Sequence, residues 1–318
     1  MTAAPLTWIP RPVDDAAVST LRAHGEVALG YGCHAADYRA IASRATGVLL
    51  RTVEFRRDDM DLAPNLRIIA RHGAGYDTVD IDAATERGIV VTITGEANAD
   101  SVAEHVFALL FAVARNITAA DRAVRDGAWT TARTGLTGIE LRGRTLGLLG
   151  CGRIGRRVGA IAAALGMSVA VTDPALSEAD AAVLGVHLHG KDELLANSDV
   201  LSLHLPLTPA TDKIIDHHAL AALPPGAILI NTARGGLLDE HALLEHLDSG
   251  RLGGAGLDVR STEPTSPGDP LATHPRTVLS PHIGGQTTDA LRRVALDAAE
   301  SILTAYRGEI PTKAVNLR

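Results

Sequence analysis

Three polar residues of complementary chemistry, Arg234, Glu263 and His282, each come shortly after a short apolar run. Such runs are typical of buried strands in an open α/β sheet, and ligands bind these sheets outside the carboxyl ends of the strands. An arginine can hold a carboxylate through its planar fork, and a histidine can exchange a proton near neutral pH. The three residues therefore predict a site that binds an anionic substrate and moves one proton.

A glycine-rich turn lies upstream of these residues. The run Leu146 to Leu149 leads into Gly150-Cys151-Gly152-Arg153-Ile154-Gly155, and an amphipathic helical pattern follows. Between a strand and a helix, this spacing binds the pyrophosphate of a dinucleotide, because the glycines permit a tight turn, close phosphate approach and close helix packing. The helix N-terminus offers further N–H groups to the phosphates. Arg153 either contacts a phosphate or lies in solvent, and the sequence leaves both open.

The strand after this turn ends in a carboxylate, Asp173, about 20 residues further on. A carboxylate there can accept hydrogen bonds from both ribose hydroxyls, and it would repel the 2′-phosphate of NADP. Pro174 and Ala175 follow, so no arginine is present there to pair with such a phosphate. The alternative is that Asp173 merely caps the next helix. The turn and Asp173 together predict NAD as the cofactor.

A bound nicotinamide and the three strand-end residues together indicate a dehydrogenase. Reduction of a 2-keto acid needs a hydride donor, a proton donor and a clamp for the carboxylate. His282 would be the general acid/base, which contributes on the order of 10²–10⁴ in rate. Glu263 would favour the protonated imidazole, and Arg234 would bind the carboxylate and polarise the carbonyl. In the structural alternative, Arg234 and Glu263 form an ion pair and His282 caps a helix.

Two series of alternating strand and helix patterns predict an α/β fold with parallel sheets wrapped on both faces. A long helix opening at Asp100-Ser101 follows the first series, and residues 115–144 are predicted to be irregular. The last predicted helix, Thr287 to Tyr306, returns to the first domain. The predicted domains are therefore a discontinuous substrate domain, 1–98 with 288–318, and a dinucleotide-binding domain, 99–287. The predicted strands are Leu6 to Ile9, Val27 to Leu29, Val48 to Leu50, Arg67 to Ala70, Ile89 to Ile93, Leu146 to Leu149, Ser168 to Thr172, Val200 to Leu203, Ala227 to Ile230, Gly254 to Asp258 and Thr277 to Leu279.

Composition excludes several other classes. The 318 residues carry a net charge of −7, which does not suit a nucleic-acid-binding surface. The longest apolar stretches are too short or too interrupted to span a membrane, and the N-terminus lacks the pattern of a signal peptide. The two cysteines, Cys33 and Cys151, form no disulfide framework and no metal motif, which favours the cytoplasm. Neither H-E-x-x-H nor G-x-S-x-G occurs, so a metal site and a hydrolytic nucleophile lack support.

The ordered motifs resemble those of the D-isomer-specific 2-hydroxyacid dehydrogenases, in particular the branch of phosphoglycerate dehydrogenases and hydroxypyruvate reductases. The resemblance covers nearly the whole chain. Its motifs are Arg71 to Asp77, Asn98 to Glu104, the glycine-rich turn, His204 to Thr208, Asn231 to Gly236, Gly256 to Val259, Glu263-Pro264, Ser280 to Gly285 and Ala314 to Asn316. The fold that it implies is a doubly wound (Rossmann) NAD domain inserted into a smaller flavodoxin-like substrate domain. It also implies a homodimer, clasped through residues 115–144.

The resemblance assigns roles to residues. Arg234, Glu263 and His282 match the catalytic positions, and Asp258 matches the contact to the nicotinamide carboxamide. The loop Gly73-Ala74-Gly75 matches the segment whose N–H groups hold the substrate carboxylate. Further positions that match or flank the cofactor groove are Ser101, His204, Pro206, Thr208, Thr232 and Ala233.

The far end of the substrate is less well defined by the sequence. His72 and Arg71 either recognise it or lie in solvent, and Arg51 is another candidate. The family often has Arg-Ser-x-Thr where this chain has Arg51-Thr52-Val53-Glu54, which puts a phosphate-binding role in doubt.

We therefore expect an NAD-dependent D-2-hydroxyacid dehydrogenase that interconverts a small 2-keto acid and its hydroxy acid. The handedness of that product is implied by the resemblance alone. The alternatives are a dedicated phosphoglycerate dehydrogenase or hydroxypyruvate/glyoxylate reductase, and an NAD(H)-sensing protein of corepressor type.

Overall fold

A computed structural model gives the structure of the protein and describes residues 4–317. The first three residues and the last, which the predicted domains include, lie outside this range. The chain divides into two compact units, residues 1–98 with 285–318 (unit 1) and residues 99–284 (unit 2). The second boundary thus lies three residues earlier than the predicted one after Thr287. Gly284 donates its N–H to Asp258 of unit 2, whereas a Cβ at Gly285 would touch Asn98 of unit 1.

The strands and helices follow the alternation that the sequence predicts. The strands are β1 (Leu6–Ile9), β2 (Glu26–Leu29), β3 (Ala45–Leu50), β4 (Ile68–Arg71), β5 (Val90–Thr92), β6 (Thr145–Leu149), β7 (Ser168–Thr172), β8 (His187–Leu188), β9 (Val200–Leu203), β10 (Ala227–Asn231), β11 (Leu252–Leu257) and β12 (Thr277–Leu279). The α-helices are α1 (Asp15–Arg22), α2 (Tyr38–Ile41), α3 (Arg57–Asp61), α4 (Ile81–Glu86), α5 (Ala99–Ala114), α6 (Ile117–Arg125), α7 (Trp129–Gly135), α8 (Arg153–Ala164), α9 (Glu178–Leu184), α10 (Lys191–Asn197), α11 (His217–Ala222), α12 (Glu240–Asp248), α13 (Pro270–Thr273) and α14 (Thr288–Tyr306).

Unit 1 is a parallel sheet in the order β2-β1-β3-β4-β5. This is the flavodoxin-like order. Successive residues of a strand point to opposite faces, so Leu49 packs into the core under α1 and α14 while Val48 and Leu50 pack into the opposite core. Both faces of the sheet are thus covered, which explains why its strands are continuous apolar runs.

Unit 2 is a parallel sheet in the order β12-β11-β10-β9-β6-β7-β8. The strand order reverses between β6 and β9, and a doubly wound sheet binds its ligand at that switch point. Leu146 and Leu148 of β6 pack with α5 and α8 on one face, and Leu201 and Leu203 of β9 pack with α11 and α12 on the other. The fold is therefore the α/β class that the sequence predicts, with a Rossmann-like unit 2.

Several short elements were not predicted. Helix α3 and strand β8 are short and mostly exposed, so they have no long apolar period. The segment 115–144, predicted to be irregular, contains α6 and α7, neither of which has a buried residue. Helix α5 begins at Ala99, before the predicted Asp100-Ser101 start.

No single helix of residues 4–317 has the length and apolarity needed to cross a bilayer. The pair α5 and α6, bent by 62°, meets that test by length and composition together.

Candidate active site

The site begins with a hydrogen-bonded pair at two neighbouring strand ends of unit 2. His282, which follows β12, lies with its Nδ1 2.9 Å from Oε2 of Glu263, which follows β11. A carboxylate only accepts hydrogen bonds, so Nδ1 carries a proton and the carboxylate fixes the tautomer of the ring. The other carboxylate oxygen, Oε1, accepts the backbone N–H of Arg260 at 3.0 Å. The structure thus brings together the predicted acid/base and its carboxylate partner.

The loop that carries His282 has an uncommon backbone conformation. His282 has φ +57°, in the left-handed region that non-glycine residues rarely adopt. Its N–H donates to the Asp258 carbonyl at 2.8 Å, and the Asp258 carboxylate accepts the N–H groups of Ile283 and Gly284, each at 2.8 Å. Strain of this kind persists only when the surroundings over-determine it, and it clusters at functional sites. Here Asp258 provides that constraint.

Asp258 is buried and stays ionised. Burial raises the pKa of this carboxyl, but hydrogen bonds from His105, Ser280 and the two N–H groups together outweigh it and lower the pKa to about 2. Ser280 Oγ donates to Oδ1 at 2.6 Å and lies 2.8 Å from Nε2 of His105. The structure thus shows that Asp258 positions the loop of His282. Its contact with the nicotinamide carboxamide stays a prediction.

The pair faces an open pocket of about 540 Å³. About half of the His282 side chain and 39% of the Glu263 side chain are exposed, so a ligand can reach both. The pocket is lined by Asp258, Arg260, Glu263, Pro264, Thr265, Leu279, Ser280, Pro281 and His282.

Arg234 lies at the next strand end, after β10. Its backbone carbonyl accepts from the Asn231 side chain at 2.9 Å, and its guanidinium donates to the Ala233 carbonyl at 2.6 Å. A Cβ at Gly235 would lie 1.9 Å from the carbonyl carbon of Arg260, so the two loops are in direct backbone contact. The three predicted residues thus follow three adjacent strands, β10, β11 and β12.

The glycine-rich turn fits a dinucleotide. Gly150 has φ +98°, and a Cβ there would lie 2.5 Å from the His204 carbonyl, so no other residue fits. Gly155 packs equally closely on the Gly150 carbonyl, whereas the space beside Gly152 is open. Gly152 is the N-cap of the 12-residue helix α8 and has no side chain to cap it, which leaves N–H groups for a phosphate. Arg153 is exposed and Ile154 is partly buried at the start of this helix.

Asp173 lies beside the same turn. One of its oxygens accepts the Cys151 N–H at 2.7 Å and the other accepts the Ala175 N–H at 2.8 Å. Ser177, not Asp173, caps the next helix, so the capping alternative is wrong. Asp173 thus holds the turn at the position where the sequence predicts a ribose contact.

The other predicted cofactor residues differ in their burial and in their hydrogen bonds. His204 follows β9, and burial lowers the pKa of its imidazole to about 4, so the ring is neutral near pH 7. Thr232 has a buried hydroxyl with no hydrogen-bond partner within residues 4–317, as a ligand-binding group would.

Pro206 and Thr208 lie on an exposed loop that Thr211 holds together, and Ala233 donates its N–H to Asn231. Ser101 is buried and its hydroxyl donates to the Gly284 carbonyl, so that proton is not offered to a phosphate.

In unit 1, the predicted substrate loop follows β4. The N–H of Gly73 donates to Thr94 Oγ1 at 2.8 Å and to the Arg71 carbonyl, so it is not available to a carboxylate as predicted. This correction leaves Ala74 and Gly75 as the candidates of that loop. His72 is buried, not in solvent, and its Nε2 has no hydrogen-bond partner within residues 4–317. Arg51 donates to the Pro12 carbonyl at 2.5 Å.

Comparison with known proteins agrees with this geometry. Residues 107–284 match the family model of the D-isomer specific 2-hydroxyacid dehydrogenase, NAD binding domain. The chain belongs to this family. D-3-phosphoglycerate dehydrogenase of Mycobacterium tuberculosis is 46% identical over 255 residues, which cover 80% of this chain and 48% of that protein. Glyoxylate reductase of Aeropyrum pernix is 37% identical over 321 residues, covering 98% of this chain and 96% of that protein.

Solved structures of the family share the fold. The TT0316 protein of Thermus thermophilus superposes with a TM-score of 0.87 at 38% identity, covering 98% of this chain and 99% of that one. The chain spans about half the length of the mycobacterial phosphoglycerate dehydrogenase that it matches. Unit 2 therefore corresponds to the NAD-binding domain of this family.

Sequence patterns did not predict three residues of this site. His105 holds Ser280, and Arg260 with Glu240 anchors the loop of Glu263. Arg260 comes directly after a buried strand run, which is a usable sequence pattern, but its partner lies 20 positions away on another element. No group of three or more histidine, cysteine or acidic side chains in residues 4–317 is arranged to hold a metal ion.

Proposed function

We propose that this protein is an NAD-dependent D-2-hydroxyacid dehydrogenase that interconverts a small 2-keto acid and its (R)-2-hydroxy acid. The observation that carries the proposal is the His282–Glu263 pair, at 2.9 Å, on strand ends next to Arg234 in an NAD-binding domain of this family. A hydrogen-bonded acid/base pair and an arginine are the groups that keto-acid reduction requires.

His282 is the proton donor in the reductive direction. Its Nδ1–H is held by Glu263, so Nε2 delivers its proton to the keto oxygen and recovers a proton from solvent afterwards. In the oxidative direction the neutral Nε2 takes the proton of the hydroxyl group. A bound nicotinamide would supply the hydride for reduction and accept it in the oxidative direction. Glu263 stabilises the imidazolium and keeps the ring in one orientation, the two effects that an adjacent carboxylate has on a histidine.

Arg234 binds the substrate carboxylate. Its guanidinium presents paired donors that match a carboxylate, and the charge also polarises the adjacent carbonyl. In unit 1, the loop of Ala74 and Gly75 and the side chain of Arg51 stay the predicted substrate-binding positions.

The cofactor is NAD rather than NADP. Asp173 is fixed beside the glycine-rich turn by the N–H groups of Cys151 and Ala175, so its charge cannot easily move away from a 2′-phosphate. A carboxylate at this position favours the free ribose hydroxyls. Gly152 and Thr232 leave an open cradle and a buried hydroxyl for the rest of the dinucleotide.

The protein acts as a homodimer through α6 and α7. Ile117, Val124 and Trp129 are exposed by 53, 48 and 63% on these two helices, which suits a surface that a second copy covers. Light scattering tests this: Trp129→Ala is expected to weaken the dimer, whereas Val183→Ala, at an exposed residue of α9, leaves it intact. A wild-type protein that is monomeric at micromolar concentration would refute this assembly.

The protein works in the cytoplasm. Cys33 and Cys151 are both free thiols, which persist in a reducing compartment. Fractionation of the source cells tests this, and recovery of the protein outside the cytoplasm contradicts it.

A keto-acid panel tests the activity. Hydroxypyruvate, glyoxylate, pyruvate and phosphohydroxypyruvate are each offered with NADH and with NADPH while absorbance at the nicotinamide band is followed. We expect oxidation of NADH with at least one acid and a lower kcat/KM with NADPH. Preference for the phosphorylated acid would identify a phosphoglycerate dehydrogenase, and preference for hydroxypyruvate or glyoxylate would identify a reductase of those acids. No turnover with any acid overturns the proposal.

An NAD(H)-sensing corepressor has no support among the similar proteins described above, which are named dehydrogenase or reductase where an activity is given.

A further inference from the structure

We propose that Arg260 is a positioning residue for the Glu263–His282 pair: its buried guanidinium clamps the loop after β11 to α12 and α13, so that Glu263 stays aligned with the imidazole. The inference rests on the proposed function for its kinetic test, but the contacts that carry it stand by themselves.

The Arg260 side chain is only 6% exposed and lies between two acidic residues. Its Nε and one terminal nitrogen each donate to Glu240 at 3.0 Å, and the same terminal nitrogen donates to Asp269 at 2.9 Å. Glu240 is the first residue of α12 and Asp269 is the N-cap of α13. One side chain therefore ties the end of β11 to the starts of two helices.

Glu240 holds the backbone of the same loop. Its two oxygens accept the N–H of Ser261 at 2.8 Å and the Ser261 hydroxyl at 2.9 Å, in addition to the two bonds from Arg260. Burial raises the pKa of Glu240, but hydrogen bonds from Arg260 and Ser261 outweigh it and keep the pKa low. The carboxylate is thus a charged anchor with four donors, all from the loop that leads to Glu263.

The clamped segment is the one that orients Glu263. The Arg260 N–H donates to Glu263 Oε1 at 3.0 Å while Oε2 is bonded to His282. Each carboxylate oxygen therefore has its own partner, and a shift of residue 260 rotates the carboxylate against the imidazole. The close contact of Gly235 with the Arg260 carbonyl carries the same constraint to the loop of Arg234.

The hydrogen bonds of Arg260 to Glu240 and Asp269 require a planar guanidinium group. Lysine keeps the charge but cannot reach Glu240 through two donors and Asp269 as well, because an ammonium has no planar fork. Neutralising Glu240 with the isosteric glutamine keeps the volume and removes the charge. Arg260→Lys and Glu240→Gln therefore perturb the clamp from both sides with little change in packing.

Arg251→Met is the matched control. Arg251 directly precedes the same strand, β11, at the end opposite Arg260, and donates to the carbonyls of Ala221 and Leu223. The residue is partly buried, and neither of these hydrogen bonds involves a loop of the site. Loss of an arginine there reports the general cost of such a change in unit 2.

Steady-state kinetics on the full chain test the proposal. In Arg260→Lys and Glu240→Gln, kcat is expected to fall about ten- to a hundredfold, as small misplacements of catalytic groups do, with NADH affinity within about twofold of wild type. Arg251→Met should keep the wild-type kcat.

A double-mutant cycle separates positioning from general loss of structure. Added to Glu263→Gln, the Arg260→Lys change should have little further effect on kcat, because both act through the same carboxylate. Fully additive effects, or a wild-type kcat in both Arg260→Lys and Glu240→Gln, would overturn the proposal.

Proton NMR gives a readout that needs no turnover. The His282 Nδ1 proton, hydrogen-bonded to a carboxylate, should resonate far downfield in wild type and in Arg251→Met, and shift or vanish in Arg260→Lys. If the wild type reduces no keto acid but this pattern holds, the proposed activity fails and the positioning role survives. An unchanged Nδ1 signal in Arg260→Lys removes the positioning role whatever the activity.

Discussion

The polar side chains at the strand ends of unit 2 and those near the predicted substrate loop of unit 1 differ in their hydrogen-bond partners. In unit 2, Glu263, His282 and Asp258 are hydrogen-bonded to side chains and N–H groups of neighbouring loops. In unit 1, Arg51 donates to a backbone carbonyl and the buried His72 Nε2 has no hydrogen-bond partner within residues 4–317. The proposed catalytic groups of unit 2 thus form a mutually supported network, whereas Arg51, the proposed recognition residue of unit 1, is held through a backbone carbonyl.

This difference separates two kinds of residue by the kinetic constant that they control. A change in the network of unit 2 should alter kcat, because it moves groups that act on the reacting atoms. A change in unit 1 should alter KM, because it removes binding that is the same in the ground state and the transition state.

The largest effect on catalysis among the proposed substrate-binding residues should come from Arg234→Met. Loss of a charged, bidentate hydrogen bond removes about 3 kcal/mol of stabilisation, or roughly two decades in kcat/KM. Arg234→Lys should recover part of the loss because it restores the charge but not the fork. Steady-state kinetics with the preferred keto acid measure both, and a fall of less than about threefold in Arg234→Met would remove Arg234 from the site.

The next largest effect should come from Gly152→Ala, through the cofactor. The new Cβ meets open space in the protein, so stability is unchanged, but it occupies the path of the pyrophosphate. Overpacking of about 2 kcal/mol corresponds to roughly thirtyfold weaker NADH binding. The matched control is Gly190→Ala, at an equally open, extended N-cap of α10. Equal NADH affinity in the two variants, by fluorescence titration, would contradict the role of the turn.

A smaller effect is expected for Arg51→Met, which tests whether a residue of unit 1 controls KM. KM for the keto acid should rise about tenfold, the value of one charge-assisted hydrogen bond, while kcat stays within about twofold. Arg39→Met, at an exposed arginine of α2, is the control. A fall in kcat with KM unchanged would mean that the two units do not divide the work in this way.

The smallest effect on turnover belongs to His72, which contributes to stability instead. Burial, assisted by the nearby charge of Arg51, lowers the pKa of its imidazole to about 4. The unfolded chain binds this proton near ~6.5, so between these values the unfolded state holds more protons and stability falls as the pH falls. The free energy of unfolding should drop by up to about 3 kcal/mol between pH 6.5 and pH 4 on this account.

Urea unfolding across that pH range checks the contribution of His72. His72→Gln should flatten the dependence, while His24→Gln, at an exposed histidine of the same unit, should leave it unchanged. An identical pH dependence in wild type and His72→Gln would show that the imidazole is not held neutral.

The sequence was sufficient for the sheet framework and for the residues at its edge. Parallel strands buried on both faces are apolar runs, so β1, β7 and β9 were predicted with their observed bounds. The edge strand β12 is only partly buried, but its short apolar run also predicted its bounds. The strand-end position of Glu263 and His282 followed from the same pattern. Their contact is a consequence of β11 and β12 being neighbours in one sheet.

Tertiary contacts decided what the sequence did not predict. Arg260 and Glu240 are 20 positions apart and meet only because α12 packs beside β11. The N–H of Gly73 is bonded to Thr94, which follows a different strand, so the loop pattern overestimated the donors available to a substrate. Helices α6 and α7 bury no residue, so no core packing within the chain accounts for them.

Single-turnover reduction by His282→Ala tests whether this imidazole donates the proton. NADH is bound first, its affinity is measured by fluorescence, and the preferred keto acid is then mixed in. We expect NADH affinity near that of wild type and a hydride-transfer rate lower by at least about two decades, because the proton donor is gone and the cofactor site is intact. A variant that binds NADH normally and still turns over at the wild-type rate would contradict the account.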